Sequence, residues 1–195
     1  MIVNIHGGGY FYGDKELYRF YCMHLAEYGF AVINYNYRLS PENKFPAPLE
    51  DTFSVFLLDI RKCGYIYGLD TDNVFMAGDS AGAQLVSQFA CICSNKTYAD
   101  IFGFKLPDNV RLKGISLACG MYDIRRRSDA DNDFLVTECE PFVEFLRQKC
   151  IKTEAKIYGK KEDVEVGHVF HINLRLPVGE EANRDQTEFF KLLID

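Results

Sequence analysis

Val74-Phe75-Met76-Ala77-Gly78-Asp79-Ser80-Ala81-Gly82-Ala83 is the stretch on which the fold of this chain turns. An apolar β-run leads into it, a helix-forming run of small and apolar residues leaves it, and Gly78 and Gly82 flank Ser80 at two positions either side. A G-x-S-x-G pattern between a strand and a helix sets the serine on a very tight turn. A serine that attacks a carbonyl has to project from such a turn, and the turn leaves no room for side chains two residues before and after it. The helix that follows aims its N-terminus, and with it the Ala81 N–H, at the place where negative charge develops on the attacked carbonyl oxygen. The pattern implies a nucleophilic Ser80.

On both sides of this turn, apolar and β-branched runs alternate with helix-period stretches. That alternation predicts a mostly parallel sheet with helices on both faces. Strands are expected at 2–5, 30–37, 74–77, 113–119 and 134–137, with a last one at 154–158. Helices are expected at 18–28 (ended by Gly29), 46–63, 81–93, 141–149 and 180–193. No internal repeat and no low-complexity linker interrupts the series. A length of 195 residues suits one domain spanning 1–195.

Charge and cysteine usage narrow the function. A net charge of −6 argues against nucleic acid or an anionic membrane surface as the main partner. The short basic run Arg125-Arg126-Arg127 is followed at once by Asp129, Asp131 and Asp133, and reads as a solvated loop. The seven cysteines are an odd number without a framework, mostly among apolar neighbours, and Cys91-Ile92-Cys93 lacks metal-site spacing. A reducing, cytoplasmic setting and no metal site are the expectation. No run of about 18 apolar residues marks a membrane span, and no export signal is visible.

His6-Gly7-Gly8-Gly9-Tyr10 follows directly on the first strand. Consecutive glycines let a backbone approach a ligand closely and turn its N–H groups toward it, as an oxyanion hole demands. A phosphate cradle is the other use of such a run. Neither G-x-x-x-x-G-K-[ST] nor a G-x-G-x-x-G leading into a helix is present, however.

Together with Tyr37-Arg38-Leu39-Ser40-Pro41-Glu42, Phe45-Pro46-Ala47 and Glu50-Asp51, these two motifs resemble the hormone-sensitive-lipase-like branch of the α/β-hydrolases. The resemblance covers nearly the whole chain and is weak between 122 and 134. It implies an α/β-hydrolase three-layer sandwich that hydrolyses carboxylic esters without metal or organic cofactor. It further implies Ser80 as nucleophile, the N–H groups of Gly8, Gly9 and Ala81 as oxyanion donors, and a structural His6 that ties down the glycine loop. Chain order in this fold runs serine, acid, histidine, which leaves His168 and His171 out of the four histidines. Gly167-His168-Val169-Phe170 matches the family's loop after its last strand and points to His168, with His171 as the alternative. Glu140, before Pro141, stands where the family carries its aspartate. Asp123 is the alternative acid.

The sequence also departs from that family. It begins at what matches the family's third strand, so a sheet of about six strands with an absent or minimal cap is expected. The 30–37 strand should then lie at an exposed edge, which invites pairing with a second copy. Tyr10-Phe11-Tyr12 sits beside the glycine loop and reads either as the wall of an acyl or alcohol pocket or as core packing. Short-chain, acetyl-like esters are the expected small-molecule substrates. An amidase or formamidase on the same machinery and a non-catalytic binding protein of this fold are the alternatives.

Overall fold

The computed structural model describes residues 1–105, 111–122, 139–159, 163 and 165–194, and only the backbone of 57–59 and 61–63. Four strands form one parallel sheet in the order β2-β1-β3-β4: β1 (Ile2–Ile5), β2 (Val32–Asn34), β3 (Val74–Asp79) and β4 (Leu112–Ala118). The two central strands, β1 and β3, are buried along their whole length, as continuous apolar runs of a parallel sheet should be.

Alternation along the strands divides the core between the two faces of the sheet. Val3, Ile5, Val74 and Met76 pack with Leu49, Phe56, Leu85, Val86 and Phe89. These come from α2 (Ala47–Ser54), the π-helical turn Val55–Ile60 that continues it, and α4 (Ala81–Ser94). Ile2, Phe75 and Ala77 point the other way, onto Tyr21, Cys22 and Leu25 of α1 (Arg19–Glu27) and Phe190 of α7 (Pro177–Lys191). The result is the expected three-layer arrangement. Phe75 is its hinge on that second face, stacked on Phe190 at 4.5 Å and edge-on to Phe30 at 6.0 Å.

Several expected elements differ in extent. The 46–63 helix runs on through α3 (Arg61–Tyr67), and Gly68 closes it in the left-handed conformation. The 30–37 strand shrinks to three residues because its partner β1 ends at Ile5. Beyond Asn34 the tyrosines take over: the Tyr35 hydroxyl bonds Thr52 Oγ1 at 2.7 Å, and that of Tyr37 donates to the His6 carbonyl at 3.0 Å. A short helix, α5 (Lys96–Phe102), was not expected; the Asn95 side chain caps it by accepting from the Tyr98 N–H. The 141–149 helix is α6 (Cys139–Gln148).

Four strands are present among the described residues, where about six were expected over the whole chain. The expected strand at 134–137 and the basic run 125–127 lie outside the described residues. Residues 154–158 are described and join no ladder. Their period-two pattern serves α7 instead: Lys156 Nζ reaches Asp185 at 2.8 Å, and the Tyr158 hydroxyl donates to the same carboxylate at 2.7 Å. β2 is a sheet edge among the described residues, as expected. No helix among the described residues is long and apolar enough to cross a membrane.

Phe75→Ala should cost about 3–5 kcal/mol of folding stability, the range for removing a fully buried aromatic ring. Urea unfolding of the two chains measures it.

Candidate active site

The pairing of β1 with β3 sets the geometry. Ile5 lies opposite Gly78, so the His6-Gly7-Gly8-Gly9 loop and the Asp79-Ser80 turn leave the sheet side by side at its carboxyl edge. In open α/β sheets that edge is where ligands bind.

Ser80 belongs to the strand and the helix at once. Its N–H still donates into the sheet, to Ala118 O at 2.9 Å, while its carbonyl already accepts the first helical bond, from Gln84 N at 3.2 Å. Satisfying both forces φ to 50° and ψ to −120°, which an L-residue adopts only under strain. The strain is held in place by contact. A Cβ on Gly82 would stand 2.1 Å from Ile5 O and 2.7 Å from His6 O, so the first turn of α4 rests directly on the end of β1.

The glycine loop folds back on itself. Gly8 has φ of 113° and its carbonyl accepts from both Phe11 N and Tyr12 N at 3.1 Å. Two ties hold the loop from outside: Tyr10 O donates nothing but accepts from Ser40 N at 2.8 Å, and the Tyr10 hydroxyl donates to Gln84 Oε1 on α4. Among the described residues, no backbone acceptor takes the Gly8, Gly9 or Ala81 N–H. Phe11 and Tyr12 lie exposed at the mouth of the site.

The histidines separate by environment. His6 is fully buried, stacked on Tyr37 at 4.3 Å, with Nδ1 bonded to Gly7 O at 2.7 Å. Burial holds its pKa below the usual value, and it acts as the structural clamp of the loop. His171 is also buried, edge-on to Tyr21 at 5.2 Å, and burial pushes its pKa down to about 4. His168 is exposed, and its charge acts on Asp79 and on His171. That places its imidazole within electrostatic reach of the residue preceding Ser80. Glu140 sits exposed in the first turn of α6. Asp123 lies outside the described residues.

Two side chains at this edge carry no signal in the sequence beyond one motif position. Asp79 is buried, and its Oδ2 accepts from the Tyr18 hydroxyl at 2.8 Å. Burial raises its pKa to about 6, against the lowering pull of the Tyr18 hydrogen bond and of His168. Tyr18 comes from the 3₁₀ turn Lys15–Tyr18, which Asp14 caps by accepting from Glu16 N and Leu17 N.

A family model described as the alpha/beta hydrolase fold matches residues 2–169. The chain belongs to the α/β-hydrolase fold family. Within it, the chain is 36% identical over 88 residues to versiconal hemiacetal acetate esterase of Dothistroma septosporum, covering 45% of this chain and 26% of that protein. It is 31% identical over 111 residues to hormone-sensitive lipase of Mus musculus, covering 56% and 14%. The chain thus spans about a quarter or less of the curated relatives it matches. Esterase B of Lactobacillus rhamnosis superposes with a TM-score of 0.89 at 24% identity, over 98% of this chain and 75% of that one. The α/β-hydrolase sandwich is as the sequence implied, and hormone-sensitive lipase is among the proteins the chain is similar to.

Two expectations arise from this geometry. Gly82→Ala should destabilise by about 3 kcal/mol or more, because the added carbon meets backbone carbonyls rather than a side chain that can move aside. Loss of thermal midpoint measures it. The raised pKa of Asp79 means that stability is fully present below the unfolded carboxylate pKa of 3.8 and falls as pH rises through about 6. Relative to Asp79→Asn, the wild-type chain should therefore lose about 3 kcal/mol between about pH 4 and pH 7. Paired urea titrations across that range would show a flat difference if the carboxyl titrated normally.

Proposed function

We propose that this α/β-hydrolase-fold chain is a serine esterase that hydrolyses short-chain, acetyl-like carboxylic esters through an acyl-enzyme, acting as one catalytic domain over residues 1–195. The strained Ser80, held at the strand-to-helix junction beside the glycine loop, is the observation that carries this reading. In the proposed reaction Ser80 Oγ attacks the ester carbonyl and His168 takes its proton, then returns it to the leaving alcohol. The oxyanion accepts hydrogen bonds from the N–H groups of Gly8, Gly9 and Ala81. Water, activated by His168, then attacks the acyl-enzyme and releases the acid. Glu140 is the proposed partner that orients the imidazole, with Asp123 as its rival.

The environments of the histidines support His168 over His171, since a base has to reach solvent-borne substrate and His171 is packed against Tyr21. The name of the Dothistroma relative, an acetate esterase, supports a small acyl group. Six described cysteines are free thiols, which supports a cytoplasmic setting. The β2 edge supports a homodimer as the assembly to look for.

Steady-state hydrolysis of p-nitrophenyl acetate, butyrate and octanoate tests the proposal. Acetate and butyrate should be preferred, and Ser80→Ala and His168→Ala should each lower kcat by about 10⁴-fold or more. Loss of the orienting acid should cost about 10²–10⁴-fold, so Glu140→Ala and Asp123→Ala assign that role directly. Wild-type turnover no faster than Ser80→Ala would overturn the esterase reading, and p-nitroanilide turnover exceeding ester turnover would make it an amidase.

A further inference from the structure

One buried hydroxyl joins the two loops of the site. The Gly7 N–H donates to the Tyr18 hydroxyl oxygen at 3.1 Å, and that hydroxyl donates to Asp79 Oδ2 at 2.8 Å. Gly7 is the residue before Gly8, and Asp79 is the residue before Ser80. The bridge therefore spans, in two hydrogen bonds, the backbone that carries the oxyanion donors and the backbone that carries the nucleophile. All three partners are buried; Tyr18 is 5% exposed and Asp79 1%. The carboxylate lies close against the loop, since a Cβ on Gly7 would stand 2.4 Å from Asp79 Oδ2.

The chemistry of the bridge requires a group that accepts and donates at the same atom. A phenol does both. Burial and the neighbouring Asp79 carboxylate push the Tyr18 pKa up, so its proton stays in place to serve Asp79. Its position is fixed from its own side by the Asp14-capped turn and by edge contact with Tyr21 at 6.5 Å. Removal of the hydroxyl would take the phenol donor from Asp79 Oδ2 and the phenol acceptor from the Gly7 N–H, and Asp79 Oδ1 already has no partner. Only the direct bond of the Gly7 N–H to the Asp79 carboxyl would then hold the loop against the turn, and the loop would shift.

We propose that Tyr18 is a positioning residue of the esterase, whose hydroxyl sets the distance between the oxyanion N–H groups and Ser80 by bridging Gly7 to Asp79. The inference rests on the esterase reading for its kinetic consequence and on the bridge alone for its structural one. An oxyanion hole acts on the transition state more than on the bound ester, so a misplaced hole lowers kcat and leaves KM nearly unchanged.

The experiment compares wild type with Tyr18→Phe and, as control, Tyr21→Phe. Tyr21 lies on α1, three residues after Tyr18, and also loses one hydroxyl bond, to Gln186 at 3.1 Å, but does not touch the loop. Each chain is assayed with p-nitrophenyl butyrate and by amide hydrogen exchange. Tyr18→Phe should lower kcat about 10- to 100-fold, with KM within about threefold, and should speed exchange of the Gly7, Gly8 and Gly9 amides. Tyr21→Phe should do neither. Should Tyr18→Phe fail to fold, Asp79→Ala breaks the other half of the bridge and should give the same kcat loss and the same faster exchange. Unchanged kcat, a loss matched by Tyr21→Phe, or unaltered exchange at the three glycines overturns the proposal. If the wild-type chain is no faster than Ser80→Ala, the esterase reading fails, and the exchange comparison still decides the bridge.

Discussion

The first turn of α4 rests on the carboxyl end of β1, backbone against backbone, with no side chain between Gly82 and the carbonyls of Ile5 and His6. This contact fixes where the helix starts, and through it where Ser80 sits. It also determines why Ser80 is strained: the residue must complete the ladder to β4 and open the helix in the same step. Strain of order 1–3 kcal/mol persists only where surroundings over-determine the conformation. Here two fully buried strands and a helix packed on both of them supply that constraint.

The rest of the carboxyl edge is built around the same line. β1 and β3 run in register to Ile5 and Gly78, so their loops are neighbours by construction. His6 is spent on holding the glycine loop, with its ring between Tyr37 and the loop and its carbonyl occupied by the Tyr37 hydroxyl. Tyr10 anchors the far end of the loop to α4 through Gln84. The segment that carries Tyr37 is itself locked: Arg38 pairs with Asp51 at 2.9 Å and with Glu50 at 2.7 Å. Those pairs are half-exposed and contribute little energy by themselves. Their role is to fix the course of the chain between β2 and α2, on which the Tyr37 contact depends.

The site therefore separates into a rigid half and a more open half. Ser80, the glycine loop, His6, Tyr18 and Asp79 share the buried end of the sheet. His168 sits on an exposed turn just before the left-handed Val169 and the short Phe170–Ile172 helix, and is supported by α7 through the buried His171 carbonyl and Asn183 at 3.0 Å. Glu140 is in the first turn of α6, whose Cys139, Phe142 and Val143 line one cavity with Gly167, Val169 and His171.

The sequence by itself determined the parts whose signals are local. An apolar β-run, G-x-S-x-G and a helix written within ten residues give the elbow, because a tight turn can be made by very few residue types. The glycine run after β1 and the period-two and helix-period patterns were legible for the same reason. The tertiary structure decided what depends on partners far along the chain. β2 stopped at Asn34 because β1 is short, and residues 154–158 spent their alternation on Asp185 rather than on a neighbouring strand. His168, favoured by its motif, and His171, the alternative three positions on, also differ in burial, the first exposed and the second buried. Tyr18 lies 61 residues from Asp79, and no spacing rule connects them. Only packing brings a phenol from the start of α1 under the end of β3, where its hydroxyl bonds both loops.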